Sequence, residues 1–280
     1  MRLSLPVSDF NLEHTLECGQ AFRWERSGDF YAGVIGEALV KVAFDGRALA
    51  IETGSPVNRD KIADYFGLNE DLPRIYKEIG ADPHIKKAIK KYRGLRILNQ
   101  DRWECLASFI LSSYTNIPRI KKMIAGLSKR FGKRLSFGGT EGYSFPPASR
   151  IAGAGIKALK GLGLGFRAAY IKDTAQKVSS KKFDLDALED LNYTEAKERL
   201  MSLKGVGGKV ADCVLLFSFK KYEAFPVDVW IKRGIEELYF DGKTVAPKKA
   251  AEFARERFGA YAGYAQEYLY HYLRHGRGKA

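Results

Sequence analysis

The first third of the chain contains short apolar segments that are typical of β-strands. Three of them stand out, at residues 30–35, 39–44 and 49–51. Gly36 follows the first segment and the Asp45-Gly46 pair follows the second, where tight turns join antiparallel strands. The pattern predicts an antiparallel meander between about residues 29 and 52.

After Asn58 the apolar spacing becomes that of α-helices, and we expect it to stay helical. The clearest helix begins at Asp101, with Glu104 three residues later as in a capping box. Its apolar residues are expected on one face: Trp103, Leu106, Ala107, Ile110 and Leu111. Further helices are predicted near 117–131, 166–178, 193–202, 208–219, 228–239, 247–257 and 261–274. Glycines and prolines predict loops between them, including 137–140 and 145–147.

These patterns predict an α+β fold with two parts. Residues 1–99 form a small α/β domain with an antiparallel sheet, and residues 100–280 form a mostly helical body. The length of 280 residues suits two or three sub-domains that share a core. No apolar run approaches the ~20 residues that span a bilayer, so no membrane contact is predicted.

The three cysteines, Cys18, Cys105 and Cys213, are far apart in the chain. They provide neither a disulfide framework nor a CxxC metal site, and four-cysteine iron–sulfur clusters are excluded by number. We therefore predict no metal and no cofactor. The amino terminus has no apolar signal-peptide core, which favours a cytoplasmic protein.

The charge is strongly basic and unevenly distributed. The net charge is +14, from 47 basic and 33 acidic residues. Residues 1–100 carry 15 basic and 14 acidic groups, so residues 101–280 carry 32 and 19, a net charge of +13. A basic helical body indicates a polyanionic partner, most simply nucleic acid, although a basic surface without such a partner is the alternative.

The sharpest local motif is a glycine-rich turn between two predicted helices. Residues 203–211 read LKGVGGKVA, with Asn192 and Glu195 placed to form a capping box that opens the first helix. Glycines allow close approach of the backbone, and the free N–H groups of the second helix can receive a phosphate. The alternative is a tight helical hairpin that binds no ligand.

Lys209 lies in the first turn of that second helix. The positive end of the helix dipole disfavours a cation there and so favours the neutral, nucleophilic amine. Nineteen residues later, Asp228 follows the apolar segment Phe225-Pro226-Val227. Asp228 is placed as a helix N-cap, and its carboxylate could also serve as electrostatic partner and proton acceptor for Lys209. A solvated lysine and a purely structural cap are the alternatives.

Together these motifs resemble the helix-hairpin-helix DNA glycosylases, and in particular their 8-oxoguanine DNA glycosylase branch. The resemblance covers most of the chain and rests on six motifs in order. They are residues 17–24 (ECGQAFRW), 104–106 with 112–113 and 116–120, 162–168 (LGLGFRA), 205–213 (GVGGKVADC), 226–228 (PVD) and 261–266 (YAGYAQ).

The resemblance implies base excision from double-stranded DNA that contains 8-oxoguanine. The damaged nucleotide is flipped out because its glycosidic bond cannot be reached in the stack. Lys209 attacks C1′ and displaces the base, and the resulting Schiff base permits β-elimination. Asp228 stabilises positive charge on the sugar and helps to activate the lysine. Two helical sub-domains flank the cleft, and the protein is expected to act as a monomer.

The family also assigns binding roles to other residues. For the base, the carbonyl of Gly19 reads N7–H of the damaged base, Gln266 its pairing edge, and Tyr270 and Cys213 its two faces. Phe166 is the wedge that fills the vacated stack. The residues expected to contact DNA are Asn116, Arg119, Phe166, Arg167, Gly205, Gly207 and Gly208.

The chain departs from the better-known members at several positions. Trp230, assigned to the base site, stands where they have histidine, and Leu273 stands where they have an acid. Tyr114-Thr115-Asn116 replaces a run of three asparagines. Two alternative functions remain at this point: a monofunctional glycosylase that removes alkylated bases with an activated water, and a helix-hairpin-helix module that binds DNA without chemistry.

Overall fold

The structure is a computed structural model, and it describes residues 1–276. Five antiparallel strands form the amino-terminal sheet, in the order β1-β5-β4-β3-β2. Their bounds are β1 Arg2–Pro6, β2 Glu25–Ser27, β3 Phe30–Ile35, β4 Ala38–Phe44 and β5 Ala48–Thr53. A second sheet is the hairpin of β6 Arg134–Phe137 and β7 Thr140–Tyr143.

Helices make up most of the remaining chain. Those in the first half are α1 Leu12–Glu17, α2 Arg59–Tyr65, α3 Leu72–Ile79, α4 Pro83–Lys91, α5 Arg102–Leu111 and α6 Ile117–Phe131. Those in the second half are α7 Ala148–Gly153, α8 Ile156–Leu159, α9 Arg167–Ser179, α10 Tyr193–Met201, α11 Gly208–Phe219, α12 Val229–Tyr239, α13 Pro247–Phe258 and α14 Ala262–Gly276. Short π and 3₁₀ turns lie at Lys160–Leu164, Asp186–Leu188 and Gly259–Tyr261.

The predicted α+β fold class is confirmed, and the predicted helices match to within about two residues at each end. The expectation that the chain stays helical after Asn58 is wrong at one place. Residues 137–140 are not a loop between helices but the turn of the β6–β7 hairpin. Gly138 and Gly139 both have positive φ there, 53° and 76°, as a tight hairpin turn requires.

Helix α5 also differs from the prediction of one apolar face. Every residue from Cys105 to Leu111 is buried, so the helix runs through the centre of the body. Asp101 caps it by accepting from the Glu104 amide at 2.8 Å. The Glu104 carboxylate does not complete the capping box, because it pairs with Arg23 at 2.6 Å.

The apolar core has two parts. One lies under the amino-terminal sheet, and the larger one fills the helical body. Helices α3 and α4 contribute to the larger core and pack against α14. An ion pair of 2.6 Å also joins Asp82, at the start of α4, to Arg257 on α13. Apolar packing therefore runs across the predicted boundary at residue 99. Within residues 1–276, no helix is long and apolar enough to cross a membrane.

Candidate active site

The glycine-rich turn joins α10 to α11, as its sequence predicts. The capping box of Asn192 and Glu195 is complete and opens α10. Leu203 and Val206 are buried beneath the turn. A buried network then locks the two helices together, because the Asp212 carboxylate accepts from Lys197 Nζ and from the Tyr193 hydroxyl, at 2.8 and 2.7 Å.

The three glycines of the turn have different tasks. Gly205 has φ +81°, and a Cβ there would lie 2.4 Å from the ring of Tyr170, so both conformation and space require glycine. Gly207 is the extended N-cap residue of α11, and Gly208 begins the helix. Neither Gly207 nor Gly208 has a side-chain neighbour closer than 3.9 Å to an added Cβ, so folding alone does not require glycine at these two positions.

Lys209 extends from the first turn of α11 toward the carboxyl end of α5. Its Nζ lies 3.4 Å from Ser112 Oγ and 5.0 Å from the centre of the Phe109 ring. Among the described residues, no carboxylate forms an ion pair with Lys209. The nearby Lys204 is different, because it points away from the cleft, pairs with Asp173 at 3.3 Å and is mostly exposed.

Asp228 is both a helix cap and part of the cleft wall. Its Oδ1 accepts from the Ile231 amide at 2.8 Å, which caps α12. Burial raises the pKa of the Asp228 carboxyl, while the Ile231 amide and the Lys209 cation act in the opposite direction. Asp228 can therefore act as the cap of α12 and as an electrostatic partner of Lys209 at the same time.

Lys209 and Asp228 line two adjoining cavities. The outer one is an open cleft of about 890 Å³ that also contains Trp230 and the edge of Tyr270. The inner one is small, about 50 Å³. Its wall consists of Gly19, Phe109, Lys209, Cys213, Phe217, Pro226, Asp228, Gln266, Glu267 and Tyr270. A separate cleft of about 570 Å³, beside α5 and the sheet, contains none of the predicted site residues.

Gly19 is held at the cavity by the polar side chain of the residue that follows it, Gln20. Gln20 is buried, its Nε2 donates to the carbonyls of Thr15 and Arg96, both at 2.8 Å, and its Oε1 accepts from the Leu98 amide. Gly19 itself has φ +104°, and an added Cβ would lie 3.4 Å from both Tyr270 and Arg274. The backbone conformation thus favours glycine, while an added Cβ would lie at van der Waals contact distance from α14.

Helix α14 supplies one wall of the pocket through residues spaced three and four apart. Gln266 is 4% exposed, and its buried Oε1 has no hydrogen-bond partner among the described residues. Tyr270 lies one turn later and contacts both cavities. Sequence reasoning missed Glu267 and Arg274 on the same helix. Their spacing from Tyr270 was the available signal, since i, i+3 and i+4 residues share a face.

At the mouth of the cleft, two aromatic side chains project into solvent. Phe166 is 50% exposed, and Tyr114 is 96% exposed on a backbone with φ +51°. Their rings meet edge to face with centres 6.4 Å apart. Tyr114 was noted from the sequence as a departure, but its exposure could not be foreseen.

Comparison with known proteins gives a consistent result. A model of the 8-oxoguanine DNA glycosylase N-terminal domain matches residues 2–106, and a model of the HhH-GPD superfamily of base excision DNA repair proteins matches residues 107–260. A probable N-glycosylase/DNA lyase of Methanothermobacter thermautotrophicus is 31% identical over 97% of this chain and 96% of its own. This chain belongs to the N-glycosylase/DNA lyase family of helix-hairpin-helix base-excision repair proteins.

Two solved structures of similar proteins support this membership. One, described as MBOgg1 in complex with a low-affinity DNA ligand, has a TM-score of 0.94 at 40% identity and covers 99% of this chain and 96% of its own. The other is the Clostridium acetobutylicum 8-oxoguanine glycosylase/lyase with double-stranded DNA containing cytosine opposite 8-oxoG. Its TM-score is 0.91 at 37% identity, with 98% of both chains covered.

One residue that the family resemblance assigned to DNA, Arg167, lies inside the protein. Arg167 is 3% exposed, and its guanidinium donates to the carbonyls of Ser113 and Tyr114. In this structure Arg167 therefore holds the Tyr114 loop from inside, and its contact with DNA stays a prediction. Arg119 is exposed, and Asn116 caps α6 through the Arg119 amide at 3.1 Å. The DNA contacts of Arg119 and Asn116 remain predictions.

The departures from the family also have structural explanations. Trp230 is 43% exposed at the rim of the cleft, where a ring can contact the flipped nucleotide or its neighbours. Leu273 is buried and packs against Gly234, where a Cβ would lie 2.2 Å from Leu273 Cδ1. An acid at position 273 would therefore be buried in an apolar contact between α12 and α14.

Proposed function

We propose that this protein excises 8-oxoguanine from duplex DNA and then cleaves the strand at the resulting abasic site. The observation that carries the proposal is the shared inner cavity, which joins Lys209 and Asp228 to Gln266, Tyr270 and Gly19. A nucleophile, a carboxylate and base-binding groups on four separate segments meet at one point. This convergence disfavours a binding module without chemistry.

In this proposal Lys209 is the nucleophile, and the site favours the bifunctional reaction over the monofunctional one. A glycosylase that activates water needs a carboxylate but no lysine in the cavity. Here the amine projects into the cavity without a carboxylate paired to it, next to an apolar ring. Attack of Nζ on C1′ displaces the base, and cleavage of the C1′–O4′ bond then opens the sugar ring and gives an imine. Loss of a C2′ proton from the imine eliminates the 3′ phosphate.

The choice of base rests on hydrogen-bond acceptors that the folded protein leaves unused. Gln266 Oε1 is buried without a partner, and such a group is costly unless a ligand satisfies it. Oxidation at C8 converts N7 of guanine from an acceptor into an N–H donor. The Gly19 carbonyl would accept from that N–H and repel the lone pair of unmodified guanine. Tyr270 and Cys213 would contact the two faces of the ring.

The surroundings of the cavity suit a bent duplex with one nucleotide extruded. The hairpin N–H groups of α11 are placed to receive a backbone phosphate. Phe166, with Tyr114 beside it, would fill the gap in the stack, because exposed aromatic side chains serve as wedges in such complexes. We expect one protein molecule per lesion, since both walls of the cleft come from the same chain.

The decisive experiment is trapping with borohydride on a duplex that carries one 8-oxoguanine. The wild-type protein should release the base, cut the strand and form a permanent crosslink when the imine is reduced. Lys209→Gln should abolish the crosslink and the β-elimination product, because glutamine has similar length and polarity but forms no imine. Binding of lesion DNA should persist.

Lys204→Gln is the matched control, because Lys204 lies in the same turn but pairs with Asp173 outside the cleft. It should crosslink like the wild type. A crosslink that survives Lys209→Gln at the wild-type rate would show that another amine is the nucleophile. Release of the base without strand scission and without any crosslink would instead favour a water-activating mechanism.

A further inference from the structure

Glu267 is a buried acidic residue that has no assigned role in the proposed excision reaction. It follows Gln266 on α14, is 2% exposed and has a buried Oε1 with no hydrogen-bond partner among the described residues. Burying a carboxyl oxygen without a partner is unfavourable. Among the described residues Glu267 forms no ion pair, in contrast to the partly buried Glu104, which pairs with Arg23 at 2.6 Å.

Glu267 lines the small inner cavity together with Lys209 and Asp228. Charged and titratable groups face it from each surrounding segment. These are Cys18 in the loop after α1, Lys209 and Cys213 on α11, Asp228 at the start of α12, and Tyr270 and Arg274 on α14. The cavity thus contains two carboxyl groups and one amine, and two carboxyl groups so close to each other do not favour simultaneous ionisation.

The two carboxyl groups differ in their surroundings. Asp228 accepts a hydrogen bond from the Ile231 amide, which favours its charged form. Burial raises the pKa of Glu267 to about 7, against the opposing effect of the Cys18 thiol, and Asp228 raises it further while Lys209 lowers it. A carboxyl with this pKa can gain and lose a proton near neutral pH, which suits an acid–base group.

We propose that Glu267 accepts the proton of the Lys209 ammonium and returns it to the group that leaves C1′. This proposal rests on the proposed function of the same site. The two carboxyl groups then have different roles. Asp228 stays ionised and stabilises positive charge on the sugar, and Glu267 transfers the proton.

In the proposed reaction one proton passes from Lys209 through Glu267 to the leaving group. A proton moves from Nζ to the Glu267 carboxylate, which frees the lone pair of the amine. The Nζ–C1′ bond forms as the C1′–N9 bond breaks, and its electron pair leaves with the base. The base anion takes the proton from Glu267, which restores the carboxylate. At a preformed abasic site the amine adds to the aldehyde carbon, and the proton leaves with the hydroxyl group as water.

The test is the pH dependence of single-turnover excision, measured between about pH 5.5 and 9. The active form of the Lys209–Glu267 pair carries one proton fewer than the fully protonated pair, so the wild-type rate should rise with pH through about 7. Glu267→Gln should lower the excision rate by about 100-fold and remove this rise. Glu267→Asp keeps a carboxyl group and should retain a rise with a displaced midpoint.

Glu104→Gln is the matched control, because it removes a partly buried carboxyl group outside the cavity and should leave the pH profile unchanged. The proposal is overturned if Glu267→Gln excises within roughly threefold of the wild-type rate and keeps the rise. If thermal unfolding shows that Glu267→Gln does not fold, the pH profile of Glu267→Asp tests the proposal instead. A displaced midpoint then supports the proposal, and an unchanged one contradicts it.

Borohydride trapping on an abasic duplex separates this inference from the choice of base. Imine formation there needs a neutral Lys209 but no recognition of 8-oxoguanine. If the wild type traps abasic DNA with a pH rise that Glu267→Gln removes, the role of Glu267 stands even when 8-oxoguanine is not excised. The opposite result is that 8-oxoguanine is excised and the rate of Glu267→Gln still rises with pH. The proposed substrate is then supported, and the proposed proton transfer by Glu267 is contradicted.

Discussion

At the scale of single residues, Asp228 combines a helix cap with a proposed role in the reaction. Its carboxylate caps α12 through the Ile231 amide and also faces the cavity that contains Lys209. Asparagine caps a helix about as well as aspartate, but it carries no charge. The two roles can therefore be separated by one substitution.

We predict that Asp228→Asn leaves the free energy of unfolding within about 0.5 kcal/mol of the wild type, because the cap persists. Excision should nevertheless slow by about 100-fold or more, because the charge that stabilises the sugar cation is lost. Some borohydride trapping should remain, since the amine is intact. Chemical denaturation and single-turnover kinetics measure the two effects. Asp101→Asn, at an N-cap outside the site, should alter neither, and a large stability loss in Asp228→Asn would contradict the separation.

Gln266 allows a test that distinguishes the base from the sugar. Gln266→Ala should slow 8-oxoguanine excision by about one to two powers of ten, since a hydrogen bond inside a closed pocket contributes about 1–3 kcal/mol. Cleavage at a preformed abasic site should change much less, because no base is bound there. Equal losses on both substrates would mean that Gln266 supports the fold of α14 and does not contact the base.

At the scale of secondary-structure elements, apolar spacing and capping residues predicted most of the fold. Helix α11 begins and ends where its sequence predicts, because Gly207 and Gly208 open it and most of its residues are apolar. The β6–β7 hairpin was missed because its strands have four residues each and lack a buried apolar face. The burial of α5 on all sides was missed because a sequence does not show how many neighbours surround a helix.

The site was predictable to a similar degree. Lys209 and Asp228 stand in motifs with recognisable local geometry, and the structure brings them to one cavity. The burial of Arg167 depends on a contact with the Ser113 and Tyr114 carbonyls, more than fifty residues away in sequence. Glu267 carries no motif of its own, so its position in the cavity became visible once α14 was seen packed against α11 and α12.

The hairpin turn gives a prediction for an element. Gly205→Ala should destabilise the protein through two effects, about 1–2 kcal/mol for the left-handed backbone and about 1–3 kcal/mol for the clash with Tyr170. Gly163→Ala is the matched control, with φ +82° but open space around the added Cβ, and should show the backbone effect alone. Thermal unfolding measures both variants. Equal destabilisation would show that Tyr170 yields to the added methyl group.

At the scale of the whole molecule, the uneven charge makes DNA binding depend on salt. Each phosphate that the protein neutralises should contribute about −0.9 to the slope of log binding constant against log salt concentration. Arg119→Ala should make this slope shallower by about 0.9 if its exposed side chain contacts a phosphate. Arg167→Ala should weaken binding by loosening the Tyr114 loop and leave the slope unchanged. A shallower slope in Arg167→Ala would show that its guanidinium reaches the DNA after all.

All three cysteines are buried, and this burial affects how the protein reacts with oxidants. Burial raises the pKa of Cys213 to about 12 and those of Cys18 and Cys105 well above their usual value. Peroxides attack the thiolate, and a buried thiol with a raised pKa provides very little of it. Peroxides should therefore leave the sulfur atoms of this protein, including the one that lines its pocket, in their reduced state.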